Sequence, residues 1–173
     1  MEPTTSKLFK AALGRFGSGV TVVSVSANGT DHGMTASAFT SVSLDPPLIL
    51  VCIKSENRTA ELIQAAGHFG ISILSAHQQD VSNRFAGGLI DDAGQWQPWP
   101  PERDKFADLD WQRGPSSNAP LLNDALCCLD CDLEHVYAGG DHGIFVGRIK
   151  QIKLNEETQP LLYQGGRYRK IAD

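Results

Sequence analysis

Apolar positions along the chain change period several times, and each change marks an element. Leu8, Phe9, Ala12, Leu13 and Phe16 fall at helical spacing, which predicts a short amphipathic helix over Ser6–Phe16, capped by Thr5 or Ser6 and stopped at Gly17. The period then shortens. Val20–Ala27 is β-branched, and Asn28-Gly29 after it signals a hairpin because both residues accept positive φ. Strands are predicted to return over His32–Ser37 and Thr40–Leu44. Asp45-Pro46-Pro47 forces a turn, and Leu48–Ile53 reads as a buried strand. A helix from Asn57 or Thr59 to Ala66 is closed by Gly67, and His68–Leu74 alternates with Phe69, Ile71 and Ile73 on one face. Ser75 and Gln78 have capping-box spacing, which predicts a further short helix to about Phe85.

Between Gly87 and Asn118 the pattern dissolves. This stretch carries four of the nine prolines and all three tryptophans, and a loop of such length usually serves function or an interface. A brief helical turn is expected at Asp104–Leu109. Alternation resumes in a long strand over Leu126–Tyr137, a turn at Ala138–His142, a strand over Gly143–Leu154 and a short strand near Leu161–Tyr163. Many closely spaced strands with hairpin turns and few helices predict a mainly β fold, an antiparallel β-barrel with short helices, in one domain over 1–173. No GxGxxG follows the first strand and no GxxxxGK[ST] occurs, so neither a Rossmann nor a P-loop reading has support.

Composition narrows the classes. The chain of 173 residues is 41% apolar and 20% charged, ordinary for a globular protein, and its net charge of −5 argues against non-specific binding to nucleic acid or an anionic membrane. No apolar run reaches the roughly 20 residues of a membrane helix, and MEPTTSKLF lacks a signal-peptide layout, so a cytoplasmic location is expected. Cys52 lies in the apolar run LILVCI. Cys127 and Cys131 share one strand face about 13 Å apart, and Cys128 points the other way. No CxxC pair exists, so reduced structural thiols are expected rather than a metal site.

Three stretches could carry chemistry. In Thr35–Ser41 (TASAFTS), small side chains would let a planar ligand approach the backbone while hydroxyls and N–H groups meet its polar edge; a solvent-facing polar strand is the competing reading. In Lys54–Thr59 (KSENRT), Lys54, Arg58, Ser55, Asn57 and Thr59 gather at a helix N-terminus suited to an anion, and plain capping competes. In Gly139–Gly143, His142 sits in a glycine-framed turn beside Asp141, where it could meet a ligand or be a turn residue only. His32, His68, His77 and His135 show no metal-ligand spacing, and no GxSxG elbow is present.

Together GMTASAFTSVSLDPPLILVCI, RFAGG, GGDHGIFVGRI and PLLYQGGRY resemble the short-chain flavin reductase family, the reductase components of two-component flavin-dependent monooxygenases. The resemblance runs from about Phe9 to Arg169. It implies an FMN-binding split β-barrel with Greek-key connections, a homodimer, and reduction of FMN or FAD by NADH or NADPH for an oxygenase partner. By position, Thr35, Ala36, Ser37, Ala38, Phe39 and Thr40 would line the flavin ring and ribityl chain. Cys52, Ile53 and Lys54 would flank the ring edge, and Ser55, Asn57, Arg58 and Thr59 would hold the phosphate. Phe85, Ala86 and Gly87 would close over the flavin. His142 would sit beside the nicotinamide, with Tyr163, Tyr168 and Arg169 near the cofactor mouth. Two departures stand out: an apparent insertion over Leu89–Arg103 carrying Trp96 and Trp99, and Lys54 where a neutral polar residue is expected. The alternatives are a pyridoxamine-phosphate-oxidase-like FMN enzyme, a non-enzymatic flavin-binding protein and a purely structural barrel.

Overall fold

A computed structural model describes residues 3–155 and 159–171. Helix α1 covers Ser6–Leu13, with the Thr5 hydroxyl accepting the Leu8 N–H at 3.2 Å. It stops at Gly14 rather than Gly17, and none of its residues is buried. Strands β1 (Ser18–Gly19), β2 (Thr21–Ala27) and β3 (Thr30–Ala36) follow. Asn28 and Gly29, at φ 51° and 74°, join β2 to β3 in the tight turn their types favour. Next come β4 (Phe39–Ser43), β5 (Leu48–Lys54), α2 (Arg58–Ala66) and β6 (His68–Ile73). Asn57 caps α2 and Gly67 closes it at φ 72°. Helix α3 spans Gln79–Phe85; Gln78 accepts the Ser75 N–H through Oε1 at 3.0 Å, half of the expected capping box, but is itself the cap residue.

The stretch expected to be irregular holds three short strands, β7 (Gly88–Ile90), β8 (Trp96–Pro98) and β9 (Trp111–Arg113), and is followed by β10 (Pro120–Leu122). β7 pairs with β8, and β9 with β10. Where a brief helical turn is expected, residues 105–108 form turns, anchored where Asp104 Oδ1 accepts the Phe106 N–H at 2.9 Å. β11 (Cys127–Gly139) and β12 (His142–Leu154) make a long hairpin. β13 (Leu162–Gln164) and β14 (Arg167–Arg169) pair across Gly165-Gly166, so the tail GGRYR is a hairpin arm.

The main sheet has the order β3-β2-β6-β11-β12-β5-β4, every pair antiparallel, with the crossing from β5 to β6 giving a Greek-key interleave. Its two edge strands are consecutive in the chain and separated only by Ser37 and Ala38. Three Cα–Cα links reach about 11 Å at most, so the edges must meet there. They share no ladder. The sheet is therefore rolled but unclosed, a split barrel.

Phe69, Ile71, Val23, Val25, Val51, Ile53, Phe145 and Ile63 pack inside the roll. A second core forms on the other side of β2, β6 and β11, where Val22, Leu74, Phe85, Phe106, Leu121, Leu122 and Cys128 meet. β2 is enclosed on both faces, and its buried hydroxyls are satisfied there, Thr21 donating to the Ala36 carbonyl and Ser24 to the Pro120 carbonyl. All four cysteines are free, and burial pushes the thiols of Cys127 and Cys131 up to about 11 and about 12. Among the described residues, no helix is long and apolar enough to cross a membrane.

Candidate functional site

Register decides which side chains share a face. Directly opposed residues of an antiparallel pair point the same way, as do positions i and i+2 along one strand. Thr40 opposes Leu50, Ile144 opposes Cys52, and His142 opposes Lys54. The alternating positions Val51, Ile53, Gly143 and Phe145 are buried. Thr40, Leu50, Cys52, Lys54, Ile144 and His142 therefore lie together on the outer face of the roll. The seam borders this face, because the Ala38 carbonyl accepts the Cys52 N–H at 2.9 Å. A cleft of about 640 Å³ opens over it, lined by Ser37, Ala38, Phe39, Thr40, Leu50, Cys52 and Tyr163, with Leu13 and Phe16 of the N-terminal segment at its rim. Ala36 and Ile53, expected at the ligand, are buried beneath.

At the C-terminal end of β5, two residues beyond Cys52, the chain turns toward α2. Lys54, Ser55 and Arg58 are exposed there, and Asn57 Oδ1 accepts the Thr59 N–H at 2.8 Å. Thr59 itself departs from expectation. It lies one turn before Ile63 on the buried face of α2, fully enclosed, with its hydroxyl 2.9 Å from His32 Nδ1, so it presents no side chain to an anion. Burial, then the charges of Lys105 and Arg58, hold the His32 ring below its ordinary value. The Asp141-His142 turn is fastened to this corner: the Ser55 N–H donates to the Asp141 carbonyl at 3.0 Å. His142 Nδ1 lies 2.8 Å from Asp141 Oδ1, and this contact keeps the Asp141 carboxyl below the usual carboxylate range. His142 is half-exposed and borders a crevice of about 290 Å³ with Ser55, Gln64 and Tyr137.

A second cleft, about 600 Å³, lies on the other side of the seam between α3, the β7–β8 hairpin and the β13–β14 hairpin. Thr35, Ser37, Ser82, Asn83, Tyr163 and Tyr168 line it. The Thr35 hydroxyl donates to the Ser82 carbonyl at 2.6 Å. Tyr168 Oη lies 2.8 Å from Ser82 Oγ and 2.9 Å from Asn83 Oδ1; burial raises its pKa, so the phenol stays protonated. Ser37 and Tyr163 border both clefts.

RFAGG does not act as expected. Phe85 is 2% exposed and its ring centroid sits 4.9 Å from that of Phe106, so it belongs to the second core rather than to a ligand. Its apolar ring fills the space that Gly33 leaves open. Ala86 is exposed, and Gly87 borders a different cavity beside His32, Trp99 and Lys105. The residues of α3 that reach the cleft are Gln79, Ser82 and Asn83. Sequence reasoning passed over them, although their i, i+3, i+4 spacing marks one helix face. Likewise Arg167, not Arg169, borders the second cleft; Arg169 lies by Lys10 and Arg15. Among the described residues, no group of three or more His, Cys, Asp or Glu could hold a metal ion.

Residues 13–172 match the family described as "Flavin reductase like domain". The chain is 35% identical over 172 residues to an NADH-dependent FAD reductase of Streptomyces globisporus, covering 99% of this chain and 89% of that protein. A solved structure of an S. globisporus NADH:FAD oxidoreductase superposes with a TM-score of 0.88 over 100% of this chain and 97% of the other, at 35% identity. A structure described as that oxidoreductase in complex with NAD and FAD fragments superposes at 0.85, with 34% identity over 99% and 98%. The reductase component of 4-hydroxyphenylacetate 3-monooxygenase from Thermus thermophilus is 36% identical, covering 95% of each chain.

Proposed function

The chain belongs to the flavin reductase-like family, and from that membership we propose that it is an NAD(P)H-dependent flavin reductase that hands reduced FMN or FAD to a monooxygenase. The observation that carries this reading is the outer face of β5, where a cleft of about 640 Å³, a polar seam and an exposed basic corner lie in line. The residues present fit a flavin. The cleft is within the range of roughly 300–1,000 Å³ usual for small ligands. Ser37, Ala38 and Thr40 offer hydroxyls and backbone groups to a ring edge, while Leu50 and Cys52 supply an apolar bed. Lys54, Ser55, Arg58 and the α2 N-terminus suit a phosphate.

When bound, the flavin accepts a hydride from the dihydronicotinamide, and the cofactors carry that chemistry. The protein's part is placement. Ser37 and Thr40 hold the ring's polar edge, and Lys54 with Arg58 neutralises the phosphate. His142, on the same face as Cys52 and Lys54, bounds the side from which the nicotinamide approaches. Asp141 fixes the imidazole through the 2.8 Å contact and leaves Nε2 for the ligand. No acid–base dyad is required.

The working unit is a homodimer. Leu13 and Phe16 at the rim of the outer cleft, with Leu8 and Phe9 earlier in the same segment, expose large apolar surfaces, and a second copy would cover them and narrow the cleft's mouth. The four free thiols, three of them buried, accord with a reducing, cytoplasmic setting. The test is a steady-state matrix of NADH and NADPH against FMN and FAD. Loss of dihydronicotinamide absorbance in at least one combination is expected, and none in all four would overturn the reading.

A further inference from the structure

The two ends of the chain meet beside the outer cleft and carry charge of one sign. Residues 3–19 and 160–171 hold Lys7, Lys10, Arg15, Arg167, Arg169 and Lys170 and no Asp or Glu, in a chain whose net charge is −5. The other nine Lys and Arg stand among all twenty Asp and Glu. Backbone contacts fasten the two ends together. The Gly165 N–H donates to the Gly14 carbonyl at 2.7 Å, Gln164 Nε2 donates to the Arg15 carbonyl at 3.0 Å, and β1 pairs with β13. Lys7, Lys10 and Gly14 follow i, i+3, i+7 spacing along one side of α1 and its cap, opposite Leu8, Phe9 and Leu13. Across a groove of about 470 Å³, Lys10 and Gly14 face the β13–β14 hairpin, and Arg15 and Arg169 line the same groove. Lys7, Lys10, Arg15, Arg169 and Lys170 are exposed, and among the described residues none of them forms an ion pair.

We propose that this cationic groove is a docking surface for an acidic patch on the protein that receives the reduced flavin. The inference rests on the reductase reading and gives the transfer a place on the molecule. Charge selects the kind of partner. An extended polyanion, such as nucleic acid or an anionic bilayer, would meet the acidic remainder of the chain, whereas a local run of Asp and Glu would not. The cations also extend past the groove, to Lys7 and Lys170, which suits a protein surface better than a compact anion. Position selects the recipient. The groove and the outer cleft share Gly14, Gln164, Gly165 and Gly166, so a partner seated on one stands at the mouth of the other. The apolar side of the N-terminal segment stays available to the second copy.

The test uses a fluorescein-labelled poly-L-glutamate peptide as the acidic probe, with binding read by fluorescence anisotropy. The wild-type protein should bind it, and binding should weaken several-fold from about 50 to about 200 mM salt. Lys10→Glu/Arg15→Glu should weaken binding about tenfold or more while steady-state flavin reduction without the probe stays unchanged. Lys150→Glu/Lys153→Glu, an equal change of net charge on β12, should keep the affinity. Saturating peptide should also raise the flavin KM of the wild type, because the occupied groove crowds the cleft mouth. Equal losses in the two double variants, or tripolyphosphate binding as tightly as the peptide, would overturn the docking surface, as would an unchanged flavin KM. Peptide binding by a protein that reduces no flavin would keep the acidic partner and remove the reductase reading.

Discussion

Residues 20–74 and residues 87–122 build the same molecule by different means. The first region spends its length on ladders: β2, β3, β4, β5 and β6 all join one sheet, and their backbone groups pair strand to strand. The second has strands of three residues, and several of its backbone groups are met by side chains of the ladders. Asp130 of β11, 1% exposed, accepts the Ser116 N–H at 2.6 Å and the Ser117 N–H at 3.0 Å. The Ser24 hydroxyl donates to the Pro120 carbonyl at 2.5 Å, and Ser72 Oγ accepts the Leu122 N–H at 3.1 Å. Arg113 grips Asp31 at 2.6 and 2.8 Å. A segment without periodicity is thereby tied to the ladders, and it covers the second core with Phe106, Leu121 and Leu122. Buried polar side chains on the regular strands are the fasteners for the irregular one.

The contrast can be broken most sharply at Phe85. Phe85→Ala should cost about 4 kcal/mol in urea unfolding, as expected for emptying a buried aromatic site. A loss below about 1 kcal/mol would mean that the 87–122 segment does not pack as a second core. Asp130→Ala removes two charge-assisted bonds and orphans two N–H groups, and about 3 kcal/mol is expected. Proteolysis should then nick the variant near residues 113–118 before it cuts the ladder strands.

Site variants sharpen the division on the ladder side. Arg58→Ala should raise the flavin KM about tenfold with kcat little changed, the size of one charge-assisted phosphate contact. His142→Ala should instead raise mainly the nicotinamide KM, by a few fold, roughly 1 kcal/mol or less. If His142→Ala abolished flavin binding and spared nicotinamide use, the assignment of its side would be wrong.

The smallest effect concerns pH. His32 of β3 opposes Val25 of β2, is bonded to Thr59, and feels Lys105 and Arg58. Its folded pKa lies below the ordinary 6.5, so below pH 6.5 the unfolded chain takes up a proton that the native chain refuses. Stability should fall as pH drops from 6.5 to the folded value and flatten beneath it. His32→Gln should remove that part of the slope in denaturation curves taken across the range.

Much of the first region was legible because its signals are local. Asn28-Gly29, the Asn57 cap, Gly67 and the β-branched runs each act within a few residues, and the structure places each where its chemistry demands. The β7–β8 and β9–β10 hairpins were not legible, because their pairing depends on partners such as Asp130 and Gly88 rather than on any period. Phe85 and Thr59 misled for a related reason. Both lie within motifs that suggest ligand contact, yet each sits on the helix face turned inward.

By itself the order of residues determined a mainly antiparallel β fold with short helices, a run of small and hydroxylated residues over Thr35–Ser41 and a basic helix start after the Leu48–Ile53 strand. Those features depend on backbone conformation and short-range hydrogen bonds, which neighbours in the chain suffice to set. Only the tertiary structure decided that Ser37 lies between two clefts, that His142 shares a face with Cys52 and Lys54, and that Trp96 walls the second cleft. These are matters of strand register and of which edges meet. They follow from packing between segments far apart in sequence, where a shift of one residue would turn every side chain to the other face.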